Sequence, residues 1–155
     1  MYTRVKKFIC KLLVVVIVCV ALVPSQNTMA KSINLDKSKP SGVNFKKEWE
    51  KTSQVYYSGT NANIGEFCYG FDKTAINEDY TWVRSWVFKH QAKVENKKTS
   101  ASGSSRKATA NAGWSKAEIK HNDKNNKYTM VLKGVPSTET ASSFTVKSPK
   151  DSHNK

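Results

Sequence analysis

The chain is poor in the features that usually staple or anchor an exported protein. It has three cysteines in 155 residues, and two of them, Cys10 and Cys19, fall within the first thirty. Cys68 is then left alone, so a chain cut after residue 30 has no intramolecular disulfide and must be held by a hydrophobic core. Cys19 follows Val18 inside an apolar run, which excludes the small-residue context of a lipoprotein cysteine. No Gly-Xaa-Ser-Xaa-Gly turn and no phosphate-cradling glycine loop is present. His90, His121 and His153 are scattered, with no close pair to start a metal site. Acidic residues are scarce too, 12 against 26 basic ones. No cofactor, metal ligand or catalytic residue is expected.

The one long apolar run is Leu12–Val23, preceded by Arg4, Lys6, Lys7 and Lys11 and ended by Pro24. It has the length of a signal-peptide core and falls short of the ~20 residues that cross a bilayer. Thr28-Met29-Ala30 supplies the small residues of a cleavage site, so residues 1–30 read as a signal peptide and the product as secreted and extracellular. Without the four leader cations, 22 basic residues face 12 acidic ones, a net charge of +10. Such a balance favours anionic partners or serves solubility alone, and it does not choose among them.

Residues 31–44 are rich in Ser, Lys, Asp and Asn and read as a flexible arm. A β domain is expected over 45–135, and 136–155 reads as a polar tail in which only Phe144 and Val146 could pack. Thr81 to Glu95 alternates with a period of two, placing Trp82, Trp86, Phe88, Ala92 and Val94 on one face, which predicts one half-buried strand. Tyr128 to Lys133 predicts another, closed by Gly134 and Pro136. Ala108 to Ile119 alternates more weakly, and Gln54 to Tyr57 predicts a short strand. Asn61 to Gly70 reads as turn-rich, Phe45 to Glu50 as a helical turn, and Asn122 to Lys127 as a turn. The fold class expected is all-β, a small antiparallel sandwich with a flexible N-terminal arm and C-terminal tail.

Basic and aromatic residues interleave at Trp82, Arg84, Trp86, Phe88 and Lys89, a pattern suited to stacking on bases or sugars and equally to a core with solvated charges between. Trp86 is expected in the core, and Arg84, on the apolar face, needs a partner, which an anionic ligand would supply. His90 is expected to be packed and hydrogen-bonded. Cys68 with a histidine would suit a nucleophilic hydrolase, but Glu66-Phe67-Cys68-Tyr69-Gly70 matches no nucleophile signature. Glu78 and Asp79 are adjacent and would point to opposite faces of a strand.

The run His90-Gln91-Ala92-Lys93-Val94-Glu95-Asn96, the Ser-rich loop after it and Ala112-Gly113-Trp114-Ser115-Lys116-Ala117 resemble the lactococcin 972 type of bacteriocin. Tyr128 stands where that family's closing aromatic strand begins, and Tyr69-Gly70 where its upstream aromatic–glycine element lies. The chain departs from the pattern in its added segment with Trp49, Tyr56 and Tyr57, in its polar tail, and in Val83–Phe88, which replaces a Tyr and His cluster. The resemblance implies an exported β-sandwich that binds the undecaprenyl-linked cell-wall precursor and blocks septum synthesis. The candidate ligand-binding residues are Arg84, Trp86, His90, Trp114 and Lys116. The function expected is that of a secreted, cationic, non-enzymatic, bacteriocin-like protein acting at the cell envelope. Its partners would be the undecaprenyl-linked precursor or teichoic acid, with a membrane surface and nucleic acid left open. The alternatives are a wall- or matrix-associated protein that binds anionic polymers without killing, and a secreted hydrolase such as a nuclease acting through His90 or His121.

Overall fold

A computed structural model describes residues 29–44, 46–73, 77–121 and 125–148. The expected leader before Met29, Phe45, the first half of the Asn122–Lys127 turn, His153 and the tail from Pro149 lie outside the described residues. Among the described residues nine strands follow one another: β1 (Lys31–Ser38), β2 (Trp49–Tyr57), β3 (Ala62–Asp72), β4 (Glu78–Ser85), β5 (Lys89–Glu95), β6 (Ser100–Ser102), β7 (Ser115–Lys120), β8 (Lys127–Val135) and β9 (Phe144–Lys147). They form two antiparallel sheets, ordered β1-β8-β5-β6 and β7-β4-β3-β2-β9. The two sheets share one apolar core, in the all-β sandwich the alternation predicts.

Each sheet contributes alternate residues to that core. Tyr128, Met130 and Leu132 of β8 and Ala92 and Val94 of β5 are fully buried, and they meet Phe67, Val55 and Val83 of the other sheet. Trp49 stands edge-on to Tyr69 and Tyr128, with centroids 5.9 and 5.7 Å away. Such aromatic pairs add to the area they bury. The segment that departs from the bacteriocin pattern therefore supplies part of the core.

Several expectations are corrected. Lys31–Ser38 is not an arm but an edge strand on β8, with Ile33 and Leu35 each 5% exposed. Its outward Ser32, Asn34 and Asp36 make the segment look polar, as edge strands usually do. Within the expected tail, Phe144–Lys147 pairs with β2 and buries Phe144. Asn61 to Gly70 is not mainly turn but most of β3, the longest strand. Its glycines answer close approach: a Cβ at Gly65 would strike the backbone of Arg84, and one at Gly70 would strike the Trp49 carbonyl and the Tyr80 hydroxyl.

The expected single strand from Thr81 to Glu95 is two strands in different sheets. Ser85 makes the break. Its hydroxyl donates to the Ile64 carbonyl (2.8 Å) and accepts from the backbone amides of Val87 (3.3 Å) and Phe88 (3.1 Å), folding Trp86–Phe88 out of the sheet. The inward parity changes across that crossing: Asp79, Thr81, Val83 and Ser85 face inward on β4, but His90, Ala92 and Val94 on β5. Trp82 thus lies on the outer face. Trp86 leaves the core as well, half-buried, with its indole N–H donating to the Asn63 carbonyl at 2.8 Å.

Candidate functional site

The register of the five-stranded sheet stacks its outward side chains in rows. Lys116, Trp82, Cys68 and Thr52 are successive neighbours across β7, β4, β3 and β2. The row on one side runs Glu118, Tyr80, Gly70, Glu50, and the row on the other runs Arg84, Glu66, Gln54. Gly70 leaves room for the Tyr80 ring from the neighbouring strand, a known way to cover a glycine in a sheet.

Four of the five predicted site residues meet on this face: Arg84, Trp86, Trp114 and Lys116. The Arg84 guanidinium bonds Glu66 Oε2 through both Nε and Nη2 at 2.5 Å. The partner that Arg84 required is thus a carboxylate of the neighbouring strand. Its Cζ also lies 4.7 Å from the Trp114 ring centroid and 5.8 Å from that of Trp86, a cation held between aromatic faces. Lys116 Nζ sits 4.0 Å from the Trp82 centroid. The Trp82 indole N–H donates to Glu118 at 3.1 Å, which fixes the plane of that ring.

Between the two indoles lies a cleft of about 330 Å³, walled by Trp82 and Trp114, with Lys116 at its edge. Glu50, Thr52, Glu66 and Cys68 line it from β2 and β3. Glu50 accepts from the Tyr80 hydroxyl at 2.7 Å and from the Thr52 hydroxyl at 3.2 Å, so the carboxylate is held in place. Burial, helped by the Glu50 charge, pushes the Cys68 thiol up to about 11, against the pull of the Thr52 hydroxyl 3.6 Å away. A thiol at that value is protonated near neutrality and is a poor nucleophile. Rigid indole walls beside carboxylates and a hydroxyl suit a sugar ring, whose C–H face stacks and whose hydroxyls donate.

His90 does not join this face. It is fully buried on β5, with Nε2 3.0 Å from the Gly113 carbonyl and Nδ1 3.2 Å from that of Phe88. It is the packed, hydrogen-bonded histidine its strand position predicts, and burial removes it from the ligand-binding set. His121 is also engaged within the fold. Its Nδ1 lies 2.9 Å from Asp79 Oδ2, and its ring stacks on Phe71 at 3.8 Å. Asp79, 1% exposed, accepts a further bond from the Tyr128 hydroxyl at 3.2 Å. Glu78 points outward from the same strand, as adjacency requires. Among the described residues no group of three His, Cys, Asp or Glu side chains is placed to hold a metal.

Sequence reasoning missed Glu50, Thr52 and Glu66 as parts of the cleft. Glu66, Cys68 and Gly70 do alternate against Phe67, Tyr69 and Phe71, so the outward parity of β3 was there to read. The pairing that sets Glu66 against Arg84 is eighteen residues distant and needs the register. Comparison with family models, with curated proteins and with solved structures finds no match to this chain.

Proposed function

We propose that this protein is an exported, non-enzymatic binder of the bacterial cell envelope, and that it takes a sugar-bearing envelope polymer into the cleft between Trp82 and Trp114. The observation that carries the reading is the set of indoles on the solvent side of the sheet. Large aromatic side chains normally serve the core, yet Trp82, Trp86 and Trp114 stand outside it, held by Lys116, Arg84 and Glu118. The basic, apolar start of the chain supports export. A cysteine held in its protonated form, and histidines turned inward, favour recognition over catalysis at this face.

Binding to isolated Gram-positive cell walls tests the reading. Trp114→Ala and Trp82→Ala should each weaken retention by about tenfold, the equivalent of one lost stacking contact, while circular dichroism stays unchanged. Retention equal to wild type in both folded variants would refute the cleft as the ligand site.

A bacteriocin-like action is the second reading, favoured by one contact. The two segments that carry the resemblance, His90–Asn96 and Ala112–Ala117, are joined through the His90 imidazole and the Gly113 carbonyl. Protein added to growing Gram-positive cells should then stop septum formation and kill. Tight wall retention with full viability selects the wall-associated form instead.

A further inference from the structure

The two outer faces of the sandwich differ in charge. The carboxylates Glu48, Glu50, Glu66, Asp72, Glu78 and Glu118 all belong to the five-stranded sheet or its margins. The strands of the four-stranded sheet, with the segment from β5 to β7, carry only Asp36 and Glu95 as acids. Both of those are engaged by one cation, Lys127, at 3.2 and 3.4 Å. The rest of that face is left with uncompensated lysines.

The register makes the imbalance local. Lys89 of β5 lies directly opposite Lys133 of β8, and Ser32 of β1 completes their row, so no acid stands beside either. Like charges facing each other across an antiparallel pair oppose folding unless something neutralises them. Lys93 projects from the same face four residues along β5, roughly 13 Å away at the rise of an extended strand. At the Lys89 end, the bridge between His90 and Arg106 brings the neighbouring Lys107 alongside β5. None of Lys89, Lys93, Lys107 and Lys133 makes an ion pair among the described residues. Between the lysines the face offers Asn34 and Gln91, while Val131 and Thr129 are only 3% and 4% exposed and the Thr129 hydroxyl donates to Asp36.

We infer that the outer face of the four-stranded sheet is a docking surface for a poly(glycerol phosphate) chain, lying along β5 and β8 over Lys89 and Lys133. A strip of separated cations with hydrogen-bonding side chains between them matches a chain of repeated phosphates. It lacks the exposed apolar side chains with which a surface enters a bilayer. The inference is independent of the cleft, which lies on the opposite sheet and recognises by aromatic contact.

Poly(glycerol phosphate) is the probe, titrated against protein purified after expression of the full chain, at about 50 and 200 mM salt. Wild type should bind at low salt and weaken steeply at high salt. Lys89→Gln with Lys133→Gln should weaken binding roughly tenfold and flatten the salt dependence, as expected when phosphate contacts are lost. The same double variant should melt no lower than wild type, since it relieves a repulsion. Lys46→Gln with Lys47→Gln removes equal charge elsewhere and should bind as wild type does. Trp114→Ala should also bind this polymer unchanged, which separates this surface from the cleft. Three results would overturn the inference: no binding at low salt, equal losses from the two lysine pairs, or binding to phosphatidylglycerol vesicles with none to the polymer.

Discussion

The imidazole of His90 bonds the carbonyl of Gly113 at 3.0 Å, tying a strand of the four-stranded sheet to the segment that enters β7 of the other sheet. Its other nitrogen faces the Phe88 carbonyl at 3.2 Å, and the side chain is fully enclosed. Nearby, the Ser115 hydroxyl donates to Ser104 O at 2.7 Å and accepts from the Ala92 amide at 2.9 Å, so this seam is polar, closed and hydrogen-bonded.

His90→Ala should therefore act on the fold. It leaves a cavity and a buried carbonyl without its donor, at a cost of roughly 2–5 kcal/mol. A fall in the melting temperature of about 10 °C or more is the expected result. Below the melting transition the variant should still be retained on cell walls. Unchanged stability with lost retention would return His90 to the ligand site.

Cys68 gives a test by chemistry. With its thiol held near 11, alkylation at pH 8 should run at least about a hundredfold slower than for an exposed cysteine, because the thiolate reacts. The rate should climb about tenfold per pH unit until the thiol titrates. Thr52→Val removes the hydroxyl that lowers the thiol's value and should slow labelling further. Fast labelling at neutral pH would show an activated nucleophile and reopen a hydrolytic reading.

Much of the fold was legible because it follows from parity. β8 and its close at Gly134 and Pro136 stand out from Tyr128, Met130 and Leu132, and Gly134 has the positive φ of 77° that favours glycine. The crossing at Trp86–Phe88 was hidden because hydrophobic alternation continues through it while the chain changes sheets. β1 was hidden by its exposed polar half, and β3 by glycines that serve close approach to neighbouring strands rather than turns. At the candidate site, Arg84 was legible as a cation in need of a partner, and Trp114 and Lys116 as part of the Gly-Trp segment, whereas Trp86 was expected in the core and stands outside it. Glu66 and Glu50 arrive from other strands, and no local spacing announces them.

The Asp79 cluster makes a prediction of defined sign. Burial raises this carboxyl, and the bonds from His121, Asn126 and Tyr128 only partly oppose it. Between the ordinary carboxylate range and the raised value, the native state holds this proton more tightly than the unfolded chain does. Stability then falls as pH rises through that window, since ionisation leaves a buried charge. Asp79→Asn cannot ionise and lacks this slope. The melting temperature of the variant minus that of wild type should therefore rise as the pH climbs above the ordinary carboxylate value of about 4, with the other carboxylates cancelling in the difference. The opposite slope would mean that the attraction of His121 outweighs burial, making Asp79 and His121 an ion pair that steadies the edge where β4 meets β7.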